Sequence, residues 1–128
     1  SENPVYYVQY GHARMASILR TAAEHEIAYD TADLSLLVHD RELELIKKII
    51  ELPAIVERSA ERNEPHHLPH YAMELSRSLQ RFYEDCRVVS SEKSDLEISR
   101  ARLQLVEAAK IALSRTLTLM GMSSPDRM

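Results

Sequence analysis

Glycine is almost missing from this sequence: 128 residues hold two, Gly11 and Gly121, with five prolines beside them. That is too few turn-formers for a sheet of many short strands, so long helices are favoured. A single cysteine, Cys86, excludes an intrachain disulfide and leaves the redox compartment undetermined; a buried structural thiol is its expected role. The apolar runs are short and interrupted by charge, and no basic stretch leads into an apolar one at the N-terminus. No membrane is therefore expected as a partner, and the expected location is cytoplasmic. Positive charge is also in short supply. Sixteen Lys and Arg face twenty Asp and Glu, a net charge of −4, which argues against DNA and against an ordinary phosphate-neutralising nucleic-acid binder.

What is present fits one soluble globular domain over residues 1–128, with 45% apolar and 28% charged residues. The acidic surplus is local. Residues 27–64 hold nine acids against five bases, whereas residues 65–128 hold eight against nine, so the two ends remain free to face a polyanion.

Helical periodicity organises the chain. Asn3 as N-cap and Pro4 in the first turn predict a helix to about Glu26, with Val8, His12, Met15, Leu19 and Ala22 inward and Tyr6, Tyr10, Arg14 and Ser17 opposite. Residues 27–40 read as a loop that anchors Leu34, Leu36 and Leu37 in the core. Asp40 is expected to cap a helix to about Leu52 with Leu43, Ile46, Ile49 and Ile50 inward, and Pro53 then breaks it. A helix from Pro53 to about Arg62 buries Ile55, Val56 and Ser59. After a turn at Asn63-Glu-Pro-His66, a fourth helix to about Asp85 buries Leu68, Leu75, Leu79 and Phe82. The last helix, capped by Ser94 or Asp95, runs to about Met120 with Gly121 at C′. Its apolar arc, Ile98, Ala101, Leu105, Val106, Ala109, Ala112, Leu113, Leu117 and Met120, is wide enough to make it the central helix. The predicted fold is all-α, a bundle of about five helices.

Few residues offer chemistry. Tyr6, Tyr10 and Arg14, with Tyr7 beside them, line up on the outer face of the first helix, a surface on which an unpaired base could stack. The competing reading is a helical protein-interaction module that docks a partner on this aromatic face. His12 is expected to be buried and hydrogen-bonded. Gly11 costs about 1 kcal/mol in a helix interior relative to Ala, which suggests close backbone approach. His66, His67, His70 and Glu74 are spaced so that one helix could offer metal ligands, yet no second cluster completes a site, and no metal is assigned. Arg102 falls inside the apolar arc and calls for a carboxylate or carbonyl partner. No nucleophile–base pair, glycine-rich phosphate loop or pair of catalytic carboxylates can be argued, so no catalytic residue is assigned.

The run Asn3-Pro-Val-Tyr-Tyr-Val-Gln-Tyr-Gly-His-Ala-Arg14 resembles the helix that opens the anticodon-binding domain of arginyl-tRNA synthetases. Similar matches follow in order: Ala32-Asp-Leu-Ser-Leu-Leu37, Leu52-Pro53, Pro65-His66 with Tyr71, Phe82-Tyr-x-x-Cys86, Ala101-Arg-Leu103 and Met122-Ser-Ser-Pro-Asp-Arg-Met128. The resemblance covers essentially the whole chain. It implies the all-α anticodon-binding domain of class I aminoacyl-tRNA synthetases, with the anticodon loop of arginine tRNA and the remainder of a synthetase chain as partners. It also implies that the middle anticodon base, a cytosine, is held by Tyr10, Arg14, Tyr71 and Met128, with Tyr7 near that pocket and Tyr6, Gln9 and Arg127 as weaker candidates by proximity. The chain is then expected to be a piece of a longer ligase that carries no cofactor itself, ATP and Mg being held by a catalytic domain elsewhere in the parent protein.

Overall fold

The computed structural model describes residues 4–62 and 66–128. The expected N-cap at Asn3 and most of the expected turn at 63–66 lie outside these residues. Five α-helices are described, α1 (Pro4–Glu24), α2 (Asp40–Ile50), α3 (Leu52–Arg62), α4 (His67–Asp85) and α5 (Leu96–Leu119), with short 3₁₀ turns at Leu34–Leu36 and Lys93–Asp95. The three prolines near helix starts, Pro4, Pro53 and Pro69, all fall in first turns, where the missing N–H costs no intrahelical bond.

The stop signals work as the chemistry dictates. Gly121 takes a left-handed φ of +76°, and behind it Met122 N–H donates to the Leu117 carbonyl at 2.8 Å and Gly121 N–H to Thr118 at 3.0 Å. This paired closure satisfies carbonyls that the end of α5 would leave open. The end of α1 uses the same pattern with a glutamate in the left-handed position, Glu26 at φ 55°.

α5 is the central element, packing against α1, α4 and α2. Ala101, Leu103, Val106, Ala109, Leu113 and Leu117 are buried along it, and Leu103 adds to the expected arc. The phase of α2 differs from expectation. Leu45 and Glu42 are the buried positions, Ile46 and Ile49 are half-buried, and Leu43 and Ile50 face outward, Ile50 at 69% exposure. The N-cap is His39, not Asp40. His39 Nδ1 accepts from Arg41 N–H at 3.0 Å, and Glu42 Oε1 accepts from His39 N–H at 2.9 Å. Glu42, 1% exposed, faces inward, which sets the phase of α2, and meets Arg102, whose Nε donates to Glu42 Oε2 at 2.5 Å and whose Nη1 donates to the Arg87 carbonyl at 2.9 Å. The partner required for Arg102 is this carboxylate.

In the α1–α2 connection only Leu37 is buried; Leu34 and Leu36 lie at the surface. Cys86 is buried where α4 ends, and burial pushes its thiol pKa up. Among the described residues no helix is long and apolar enough to cross a membrane.

Candidate nucleic-acid interface

α1 has two working flanks. On one, the C-terminal tail is bound back across the helix: Gln9 Nε2 donates to the Ser123 carbonyl at 3.0 Å and Arg20 Nη1 to the Asp126 carbonyl at 3.0 Å. Between them, His12 Nδ1 lies 2.9 Å from the Pro125 carbonyl. A carbonyl can only accept, so Nδ1 carries the proton. His12 is buried and hydrogen-bonded, the role its place in the apolar face called for. Gln9 spends its amide on the tail and is a clamp here instead of a free contact.

The other flank meets α4. The Arg14 guanidinium lies over two tyrosine rings, its Cζ 5.2 Å from the Tyr10 centroid and 4.7 Å from the Tyr83 centroid. Both distances are within cation–π range. Arg14 Nη1 donates to Gln80 Oε1 at 2.6 Å, and Gln80 Nε2 donates to Glu84 Oε1 at 2.8 Å. Among the described residues the other guanidinium N–H groups have no protein acceptor. Tyr10 and Tyr83 are 44% and 43% exposed, so each ring shows part of its surface to solvent. Tyr7 lines the same narrow cleft with Gly11 and Leu79. From Tyr83 a larger cleft of about 670 Å³ continues past Ser17, Thr21 and Arg87.

The arrangement is a positive planar group with unused donors, flanked by aromatic rings and open to solvent. Such a group can stack with or bond to an unstacked base. Chemically it has nothing that activates a nucleophile.

Of the residues expected at this site, the structure brings Tyr7, Tyr10 and Arg14 together, and Tyr6 is exposed beside them. Tyr71 is elsewhere, contrary to the expectation of a ring facing RNA. It is 1% exposed, its hydroxyl donates to the Lys48 carbonyl at 2.6 Å, and burial followed by the Glu51 charge raises its pKa well above the usual phenol range. Its phase on α4 sends it toward α2. The tyrosine that meets Arg14 is Tyr83, which the sequence reading passed over within Phe82-Tyr-x-x-Cys86. A signal was present: Tyr83 falls between the buried positions Leu79, Phe82 and Cys86 and so belongs to the exposed face of α4. Met128 is 50% exposed at the end of the tail, beyond the tether at Arg20, and Arg127 beside it is exposed.

The histidines behave differently. The His66 and His67 rings lie 4.4 Å apart, and His70 Nε2 is 3.6 Å from Glu74 Oε2, while Glu74 Oε1 accepts from Lys48 at 3.1 Å. Among the described residues no three His, Cys, Asp or Glu side chains gather at metal-binding spacing. Nor is there close backbone approach at Gly11. A Cβ there would meet Leu113 Cδ1 at 3.8 Å and Ser76 Oγ at 4.0 Å, ordinary contacts.

The family model of the DALR anticodon binding domain matches residues 8–128. The arginine–tRNA ligase of Dehalococcoides mccartyi strain CBDB1 is 55% identical over the whole chain, which corresponds to 22% of that protein. That of Heliobacterium modesticaldum is 46% identical, again over the whole chain and 23% of its own length. Among solved structures, Thermus thermophilus arginyl-tRNA synthetase superposes with a TM-score of 0.83 at 29% identity, over 95% of this chain and 21% of that one. The chain thus spans less than a quarter of the length of these relatives. A helical protein-interaction module is not favoured by these similarities.

Proposed function

The chain belongs to the DALR anticodon-binding domain family, and from that premise we propose that its α1–α4 face holds the anticodon loop of an arginine tRNA as one domain of an arginine–tRNA ligase. The observation that carries the reading is the Arg14 guanidinium set over Tyr10 and Tyr83 with donors left unused. An extruded base can stack on the exposed tyrosine surface while a guanidinium N–H reads its edge, and each stacked base is worth about 1–3 kcal/mol. The middle anticodon cytosine has acceptors at O2 and N3 that suit such a donor. Flanking nucleotides have room in the cleft past Ser17 and Thr21, where Arg87 can meet a phosphate.

A net charge of −4 is compatible with this role. Recognition of one splayed base needs few cations, and the phosphate-neutralising surface belongs to the rest of the ligase. ATP and Mg are assigned to that remainder as well. The two glycines here lie inside α1 and behind α5, so neither forms a phosphate-binding loop. Met128, at the end of the tethered tail, is assigned an apolar contact at the margin of the loop; Tyr71 supports the site from within the core.

The test is a titration of the 128-residue chain with an anticodon stem-loop carrying the middle cytosine and with one carrying another base there. The expected result is tighter binding of the cytosine loop by about tenfold or more, the size of one good base contact. Equal binding of both loops would sink the proposal.

A further inference from the structure

Lying over two rings fixes where the guanidinium carbon sits, but does not stop the group from turning about its Nε–Cζ bond, which exchanges its two Nη groups. What stops that rotation is Gln80, whose Oε1 takes Arg14 Nη1 at 2.6 Å. A primary amide is ambiguous, because its oxygen and nitrogen can exchange places by a half-turn. Glu84 removes the ambiguity. Its carboxylate can only accept, so it holds the Gln80 NH₂ at 2.8 Å and leaves the Gln80 oxygen facing Arg14. With the amide turned round, NH₂ would face guanidinium and oxygen would face carboxylate, and both bonds would be lost. Glu84 lies one turn beyond Gln80 on α4, the spacing at which two side chains share a helix face.

We propose that Gln80 and Glu84 are positioning residues for Arg14: the chain Glu84–Gln80–Arg14 fixes which N–H edge of the guanidinium is presented to the base, and so sets base discrimination more than affinity. The inference rests on the RNA-binding reading above. It has a signature that simple attraction lacks. Glu84 is an exposed negative charge on the face proposed to hold the RNA, so its removal favours binding of any RNA loop while weakening the choice between loops.

The experiment compares the 128-residue chain with Gln80→Met, Glu84→Ala, Gln80→Glu and the double variant Gln80→Glu/Glu84→Ala, each titrated with the cytosine loop and the altered loop. Gln80→Met and Glu84→Ala are expected to lower the ratio of the two affinities about three- to tenfold, the effect of one lost hydrogen bond. Affinity of Glu84→Ala for the altered loop should be unchanged or raised. A carboxylate at position 80 accepts from Arg14 whichever way it turns, so Glu84→Ala should cost no discrimination in the Gln80→Glu background. Arginine side-chain NMR of the free chain supplies a readout without RNA: rotation of the Arg14 guanidinium should be slow in the unmodified chain and in Gln80→Glu, and fast in Gln80→Met. Discrimination that survives both Gln80→Met and Glu84→Ala would overturn the relay and leave the RNA-binding reading intact. An unmodified chain that binds both loops equally would remove that reading, and the relay with it.

Discussion

The two halves of α4 use the same residue types for opposite purposes. In the first half Tyr71 is sunk against α2, its hydroxyl closed on a backbone carbonyl, and the neighbouring acid Glu74 is occupied by Lys48. In the second half Tyr83 stands half in solvent over Arg14, and the nearby acid Glu84 holds the amide that holds that arginine. Twelve residues separate the two tyrosines, which at about 100° per residue leaves them roughly 120° apart around the axis. A third of a turn decides whether a phenol ring is core or surface. Residue type alone carries no such information; helix phase does.

Substitution at the two tyrosines separates their core and surface roles most directly. Tyr71→Ala empties a fully buried aromatic site and should cost about 3–5 kcal/mol of stability by denaturant unfolding. Tyr83→Ala should change stability by no more than about 1 kcal/mol, yet weaken binding of the cytosine loop by about 1–3 kcal/mol. A Tyr71 variant that folds normally but loses RNA would reverse the assignment.

A gentler change isolates the hydroxyl. Tyr71→Phe keeps the ring and removes only the bond to Lys48 O, at a cost of about 1 kcal/mol, leaving RNA binding as it was. The same pair of proteins should differ in alkali. Because the folded-state pKa of Tyr71 is raised, its contribution is fully present below about pH 10, where the unfolded phenol is still protonated, and is lost as pH rises beyond that value. Unfolding followed from pH 9 upward should show a steeper fall for the unmodified chain than for Tyr71→Phe; parallel curves would mean that Tyr71 is not the group responsible. The smallest expected effect is at Gly11. Since a Cβ fits there without displacing a neighbour, Gly11→Ala should raise stability by up to about 1 kcal/mol through helix propensity alone. A loss would reveal a closer approach across α1 than these contacts show.

Much of the fold was legible because its punctuation is sparse and unambiguous. Pro4, Pro53 and Gly121 each mark a helix boundary, and the wide apolar arc of α5 identifies the central helix. The buried His12 and the carboxylate partner of Arg102 also followed from their places in apolar faces. The misreadings have a common physical cause. The phase of α2 was read from its isoleucines, but a buried glutamate sets it, and Glu42 counts as core only in the company of Arg102, 60 residues away. Likewise Tyr83 gains meaning from Arg14 on α1, and Gln80 from a guanidinium donor 66 residues removed. Periodicity reports which side of a helix is apolar. It does not report which other helix lies across from the polar side.

The tail that crosses α1 bears on the order in which the chain assembles. Its bonds join Gln9 to Ser123, His12 to Pro125 and Arg20 to Asp126, sequence separations of 114, 113 and 106 residues. Contacts of that range repay the entropy of closing so long a loop only after α5 has docked along α1. The strap therefore belongs to the last steps of folding and, by the same reasoning, to the first local openings of the native state, so that one flank of α1 breathes while the flank bearing Arg14 stays anchored to α4.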